Sequence, residues 1–229
     1  MKQEAIMRSC RTSALVILIL ILTFDSYCQT GQDNPLPQFL FPEFSKGVIR
    51  TKVGSAMEAV LNYNMVDEEM VLNQRGNYMV LDKPEEIDTV FLRNRRFIPV
   101  DNVFYEVVAK GPVSILIQHK SRYAPTGSAT AYGMTSHTLG PTAVGTIRGG
   151  NQVRNLDIPP NVKISPATVY WASVNGEMQR FTNERQFIKF FPADRAEKIR
   201  EFIRASNIDL KSPDDLARLG KFCNSLIQP

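Results

Sequence analysis

The chain has 229 residues (25.8 kDa), 27 basic against 23 acidic side chains, and three cysteines. A composition 43% hydrophobic and 22% charged is that of a globular protein and excludes a disordered, collagen-like or multi-pass membrane chain. A net charge of +4 over this length calls for no nucleic-acid partner, and three cysteines build no disulfide framework.

Residues 1–28 have the grammar of a secretory signal peptide. Lys2, Arg8 and Arg11 precede an apolar block from Ala14 to Phe24, and polar residues follow. That block is about half the roughly 20 residues of a spanning helix. Ser26 and Cys28 stand three and one positions before Gln29, which places cleavage between Cys28 and Gln29. A lipid on Cys28 would want a small residue before it, where Tyr27 stands. Retention of residues 14–24 as a membrane anchor is the other alternative. Cleavage removes Cys10 and Cys28 and leaves Cys223, which shares a predicted helix face with Leu216, Leu219 and Leu226 and reads as a small buried hydrophobe.

Residues 29–46 form a Pro/Gln-rich lead-in that docks by Phe39, Phe41 and Phe44. Residues 47–120 repeat with a period of two. Met57, Ala59, Leu61 and Tyr63 alternate with Glu58, Val60, Asn62 and Asn64, and Arg75-Gly76-Asn77 separates two short apolar runs. Arg93-Asn94-Arg95-Arg96 reads as a further turn, and Lys110-Gly111-Pro112 as another. The spacing predicts an antiparallel meander of short strands, built as a sandwich or as a partly closed, curled sheet. Residues 121–152 change character. Six of the chain's 13 glycines lie between 121 and 150, with no acidic side chain, and the stretch reads as a Gly/Ser/Thr-rich loop.

Strands return over 153–181, with Asn175-Gly176 as a hairpin turn. Residues 182–229 form a helical tail. Thr182 or Asn183 caps a short helix stopped by Pro192. A second, from about Ala193, buries Ala196, Ile199, Phe202 and Ile203 and ends at Asn207. Ser212 caps a third, with Pro213 at its first position. The fold class is therefore mainly β with a C-terminal helical tail packed on it, α+β overall.

Conventional chemistry is sparse. His119 and His137 are the two histidines, and no G-x-S-x-G elbow, H-E-x-x-H pair, calcium loop or phosphate cradle accompanies them. His119 ends a strand on the face of Val113, Ile115 and Ile117, which suits a hydrogen-bonded, half-buried histidine. Asp67, Glu68 and Glu69 read as a solvated turn, and the arginines at 93, 95 and 96 as a wet one that could also meet an anion. Trp171 reads as a core residue. No cofactor or metal site is expected. A ligand contact, if present, falls on the glycine-rich loop at Tyr132, Ser136 and His137, facing the strand that ends in His119.

The motifs GVIRTKVGSAMEAVLNYNMVDEEMVL, EEIDTVFLRNRRFIPV, YEVVAKGPVSILIQHK, YGMTSHT and FIKFFPADRAEKIREFIRASNIDLKSPDDLARLGKFCNSL occur in this order. In that pattern the chain resembles a type of small, uncharacterised exported protein of Bacteroidota, from about Phe41 to Leu226. The resemblance implies a Gram-negative envelope address and brings no activity, cofactor or catalytic residue with it. The expected function is a non-catalytic binding or structural role in the periplasm or at the cell surface. The expected partner is another envelope protein or an anionic polymer. The membrane is involved only through an uncleaved signal. The alternatives are a hydrolase acting on envelope polymers and a membrane-tethered accessory protein.

Overall fold

A computed structural model describes residues 36–125, 128–129, 135–136, 148–149, 152–153 and 162–227. Eight strands occupy the first half: β1 (Ser45–Thr51), β2 (Ala56–Asn64), β3 (Glu69–Gln74), β4 (Asn77–Val80), β5 (Ile87–Leu92), β6 (Arg95–Val100), β7 (Val103–Ala109) and β8 (Val113–Gln118). Short strands follow: β9 (Ser121–Pro125), β10 (Ser128–Ala129), β11 (Thr135–Ser136), β12 (Arg148–Gly149) and β13 (Gln152–Val153). Then come β14 (Val162–Pro166), β15 (Val169–Val174), β16 (Glu177–Phe181) and three helices, α1 (Glu184–Ile188), α2 (Ala193–Ala205) and α3 (Pro213–Ser225).

Twelve strands make one antiparallel sheet in the order β12-β13-β4-β3-β2-β1-β5-β6-β7-β8-β15-β16. It does not close, since β12 and β16 each have one neighbour. The architecture is mainly β with a helical tail, and of the two forms the sequence left open it is the curled sheet. Local chemistry explains the hairpins. Arg75-Gly76, Arg93-Asn94, Asp101-Asn102 and Asn175-Gly176 all have positive φ at both positions, the two-residue turn whose twist matches that of the flanking strands.

The 93–96 segment departs from expectation here. The turn needs only Arg93 and Asn94, so β6 begins at Arg95, two residues before the apolar run that marks it in the sequence. Strand alternation then sends Arg95 and Arg96 to opposite faces.

The register aligns one row of directly paired residues across seven strands: Ile49, Val90, Phe97, Glu106, Ile117, Tyr170 and Phe181. Paired residues share a face, so this row marks one continuous inner surface. Over β1–β7 that surface buries Leu61, Tyr63, Met70, Leu92, Phe97 and Phe104 against one another. Over β7, β8, β15 and β16 it buries Ile115, Ile117, Ala172 and Phe181 against Phe187, Ile199, Ile203, Leu216 and Leu219 of the helices. The helices cover the half of the face that the roll of the sheet leaves open.

The roll itself is held by the β2–β3 turn. Ser121 N donates to Met65 O at 2.9 Å, Gln118 Nε2 to Glu68 Oε2 at 2.7 Å, and Lys120 Nζ lies 2.6 Å from Glu68 Oε1. Glu68 is therefore not a solvated turn residue. It is 8% exposed, because the curl brings the end of β8 onto the turn.

The lead-in docks as its aromatics predict, with Phe39 and Phe41 buried and Phe44 half-buried. Asn62 clasps both backbone polar groups of one residue there, accepting from Phe41 N at 3.2 Å and donating to Phe41 O at 2.8 Å. The region 121–152, read as one loop, holds five short strands. β9 pairs with β14 as a separate ribbon, β10 pairs with β11, and β13 returns to pair with β4. In that ribbon the backbone of Tyr123 pairs with that of Ile164. The tail follows its caps. Asn183 accepts from Gln186 N, and Ser212 from Asp215 N.

Candidate functional site

Glu106 is the one charge in the inner-face row, and the fold uses it. Its Oε2 accepts from His119 Nε2 at 2.6 Å and from Arg95 Nη1 at 3.2 Å. A carboxylate only accepts, so His119 carries its proton on Nε2. Glu106 is 5% and His119 8% exposed. The imidazole sits among aromatic rings, with Tyr63 at 6.2 Å and Phe97 at 6.4 Å between centroids. Tyr63 stacks on Phe97 at 5.8 Å. Its hydroxyl is buried without a hydrogen-bond partner among the described residues, and burial, helped by the nearby Glu68 charge, holds its pKa well above the ordinary tyrosine value.

A second polar chain lies on the outer face. Trp171 Nε1 donates to Gln118 Oε1 at 3.0 Å, and Gln118 donates on to Glu68. Trp171 meets Tyr105 edge-on at 6.2 Å and is half-buried rather than a core residue. Tyr105 is also pushed above its ordinary pKa, by burial first and the Glu68 charge second. Cys223, wholly buried on the inner face of α3, has its thiol pushed up to about 12 by desolvation, which makes it inert as a nucleophile near neutrality.

An open cleft of about 990 Å³ adjoins the Glu106 cluster, between β1, the β5–β6 turn, β7 and the first turn of α3. Its charged lining is Lys46, Arg93, Arg95, Arg96, Glu106 and Asp214. Two of the cations are half committed. Arg93 Nη2 meets Glu43 Oε1 at 2.6 Å while its Nε donates to Ser45 Oγ, and Arg95 binds Glu106. Both guanidinium groups also stand over the Phe41 ring, at 5.5 and 5.4 Å. The side chains of Lys46 and Arg96 make no ion pair or hydrogen bond to another described residue, and both residues border the cleft.

The sequence-derived candidates divide. His119 is brought to Glu106 and Arg95, not to the glycine-rich segment. Ser136 lies in β11, whose backbone pairs with β10. Tyr132, His137, Cys28 and Gln29 fall outside the described residues. Glu106 was missed because a single glutamate in an apolar alternating run, FYEVVA, reads as an outward strand residue until the register places it. Lys46 was missed as an ordinary surface lysine.

Among the described residues no group of three or more histidine, cysteine or carboxylate side chains could hold a metal. Ser121, two residues beyond His119, has a buried hydroxyl with no hydrogen-bond partner among the described residues, so the two form no serine–histidine pair. Also among the described residues, no helix is long and apolar enough to cross a membrane; residues 14–24 lie outside them. Set against family models, curated proteins and solved structures, the chain matches none of them.

Proposed function

We propose that this is an exported protein of the cell envelope that binds a partner of opposite charge and has a binding rather than a catalytic role. The observation that carries the reading is the contrast between interior and cleft. Glu106 with His119 on the inner face, and Glu68 with Gln118 and Trp171 on the outer, form two separate networks whose hydrogen bonds hold the fold. At the surface the cleft is bordered by cations, two of them with side chains unpaired among the described residues, and no described nucleophile and base stand within reach of each other there. Such a site attracts and positions an anion and leaves it unchanged. The export component rests on the signal grammar of residues 1–28, and the kinship with small exported Bacteroidota proteins belongs to the same proposal.

Two measurements test this. Protein recovered from the native envelope fraction should begin at Gln29, and it should sediment with envelope material at low salt and be released at about 0.5 M, where screening is short-ranged. The K46E/R96E double variant should stay in the supernatant at every salt concentration. A protein that begins at Met1, or one that never sediments with envelope material, would overturn the reading.

A further inference from the structure

Resting on that reading, we infer that the partner is an acidic polypeptide, docked on the outer face of the sheet around Phe91. The register assembles this face. Val48 of β1 pairs with Phe91 of β5, and Phe91 pairs with Arg96 of β6, so the three side chains stand in one row. Lys46 and Arg50 lie two residues to either side of Val48 and share its face. Their neighbours Ile49, Val90 and Phe97 point the other way, into the core. Phe91 is thereby framed by three cations.

Those cations are uncommitted. The side chains of Lys46, Arg50 and Arg96 make no ion pair or hydrogen bond to another described residue, and Arg50 stands over the Phe91 ring, 5.5 Å from its centroid. Lys46 and Arg50 are exposed and Arg96 is half-buried. Phe91 is 37% exposed, the one aromatic among the large hydrophobic side chains that the described residues expose.

Two features select a polypeptide. An aromatic anchor enclosed by arginines and a polar rim is the anatomy of a protein–protein interface. The charges are also few and spread out. Lys46 and Arg50 stand about 13 Å apart on an extended strand, and the exposed Glu58 of β2 pairs with Val48 on the same face. A chain with an anion on every unit would meet that carboxylate at close range. A polypeptide can set its carboxylates apart, over Lys46, Arg50 and Arg96, and place an apolar side chain between them on Phe91 and Val48. A second copy of this chain does not fit, because a twofold pairing of this face would set the three cations against their own counterparts.

The test uses the full chain, as secreted, with two soluble peptides, one repeating Glu-Ser-Leu-Ser and the other Glu-Ser-Ser-Ser. In the first, carboxylates four residues apart flank an apolar side chain on one side of an extended strand. It should bind roughly fivefold tighter than the second, and Phe91→Ser should abolish the difference. Arg50→Gln and Arg96→Gln should each weaken both peptides roughly threefold, the scale of single exposed charge contacts, and they report on the site even if Phe91→Ser fails to fold. Met57→Ser, at a 53% exposed position that pairs with Ile49 and so lies on the opposite face, should change nothing. Envelope material digested with a protease, which is then inhibited, should no longer sediment the protein, whereas periodate oxidation of its glycans should have no effect. Failure of the leucine peptide to bind, or a preference for it that survives in Phe91→Ser, would overturn the inference. If sedimentation survives digestion and still depends on Lys46 and Arg96, the polypeptide is wrong and the binding role stands. If the wild type never sediments with envelope material, both fall.

Discussion

Glu106 shows how far one residue can carry a fold and a site together. It sits where an apolar side chain would pack, between Phe97 and Ile117 in the inner row, and desolvation there is offset by two donors on one oxygen. Removing only one partner leaves a buried polar group unmet, whereas removing both leaves none. Glu106→Ala should therefore lower the unfolding free energy by about 3 kcal/mol. Glu106→Leu combined with His119→Phe should recover most of that loss, since Arg95 is 38% exposed and can turn to water. Urea denaturation of the three proteins decides it. A double variant no more stable than Glu106→Ala would show that the unmet histidine is not the cause. From sequence, the strand placement of His119 and its hydrogen-bonded character were legible, because alternation with Val113, Ile115 and Ile117 is local. Its partner was not, because Glu106 lies on another strand and only the register brings it alongside.

At the scale of elements, the helices are attached by small and precise fits. Asn224 of α3 clasps Val113, accepting from its N–H at 2.8 Å and donating to its C=O at 2.9 Å, the same two-bond grip that Asn62 applies to Phe41. One asparagine ties the last helix to β8 and the other ties the lead-in to β2, each satisfying backbone groups that no neighbouring strand reaches. Beside the first clasp, α3 lies almost against β7. A Cβ added at Gly220 would stand 2.3 Å from the Ala109 Cβ. Gly220→Ala should force the helix away and cost about 1–3 kcal/mol despite the better helix propensity of alanine. Thermal unfolding measures the loss, and Ala109→Gly in the same chain should restore it. An unchanged midpoint for Gly220→Ala would mean that α3 does not rest on β7. The caps of α1 and α3 were legible in Asn183 and Ser212 with Pro213. The beginning of β6 was not, because Arg95-Arg96 carries no apolar signal, and that misreading hid the division of the two arginines between opposite faces.

For the whole molecule, the inner row joins the rolled half and the helix-covered half through β7 and β8. β7 contributes to both buried clusters, Phe104 to one and Ala109 to the other, and β8 adds Ile115 and Ile117 to the second. Their amides should exchange with deuterium most slowly, and those of the edge strand β16, paired on one side only, many times faster. Peptide-level hydrogen exchange reads this directly. Equal protection of β16 and β8 would show that the two halves are not coupled through the centre.

The alternation of apolar and polar residues determined that this chain makes short antiparallel strands followed by amphipathic helices, because side-chain direction repeats every two residues along any strand. Only the tertiary structure decided that β1 lies between β2 and β5, that β15 joins β8, and that Glu68 is drawn under the end of β8 while Arg95 and His119 are brought to Glu106. Pairing between strands distant in sequence depends on which buried faces and charges fit across the gap. No window of the sequence contains both sides of that fit.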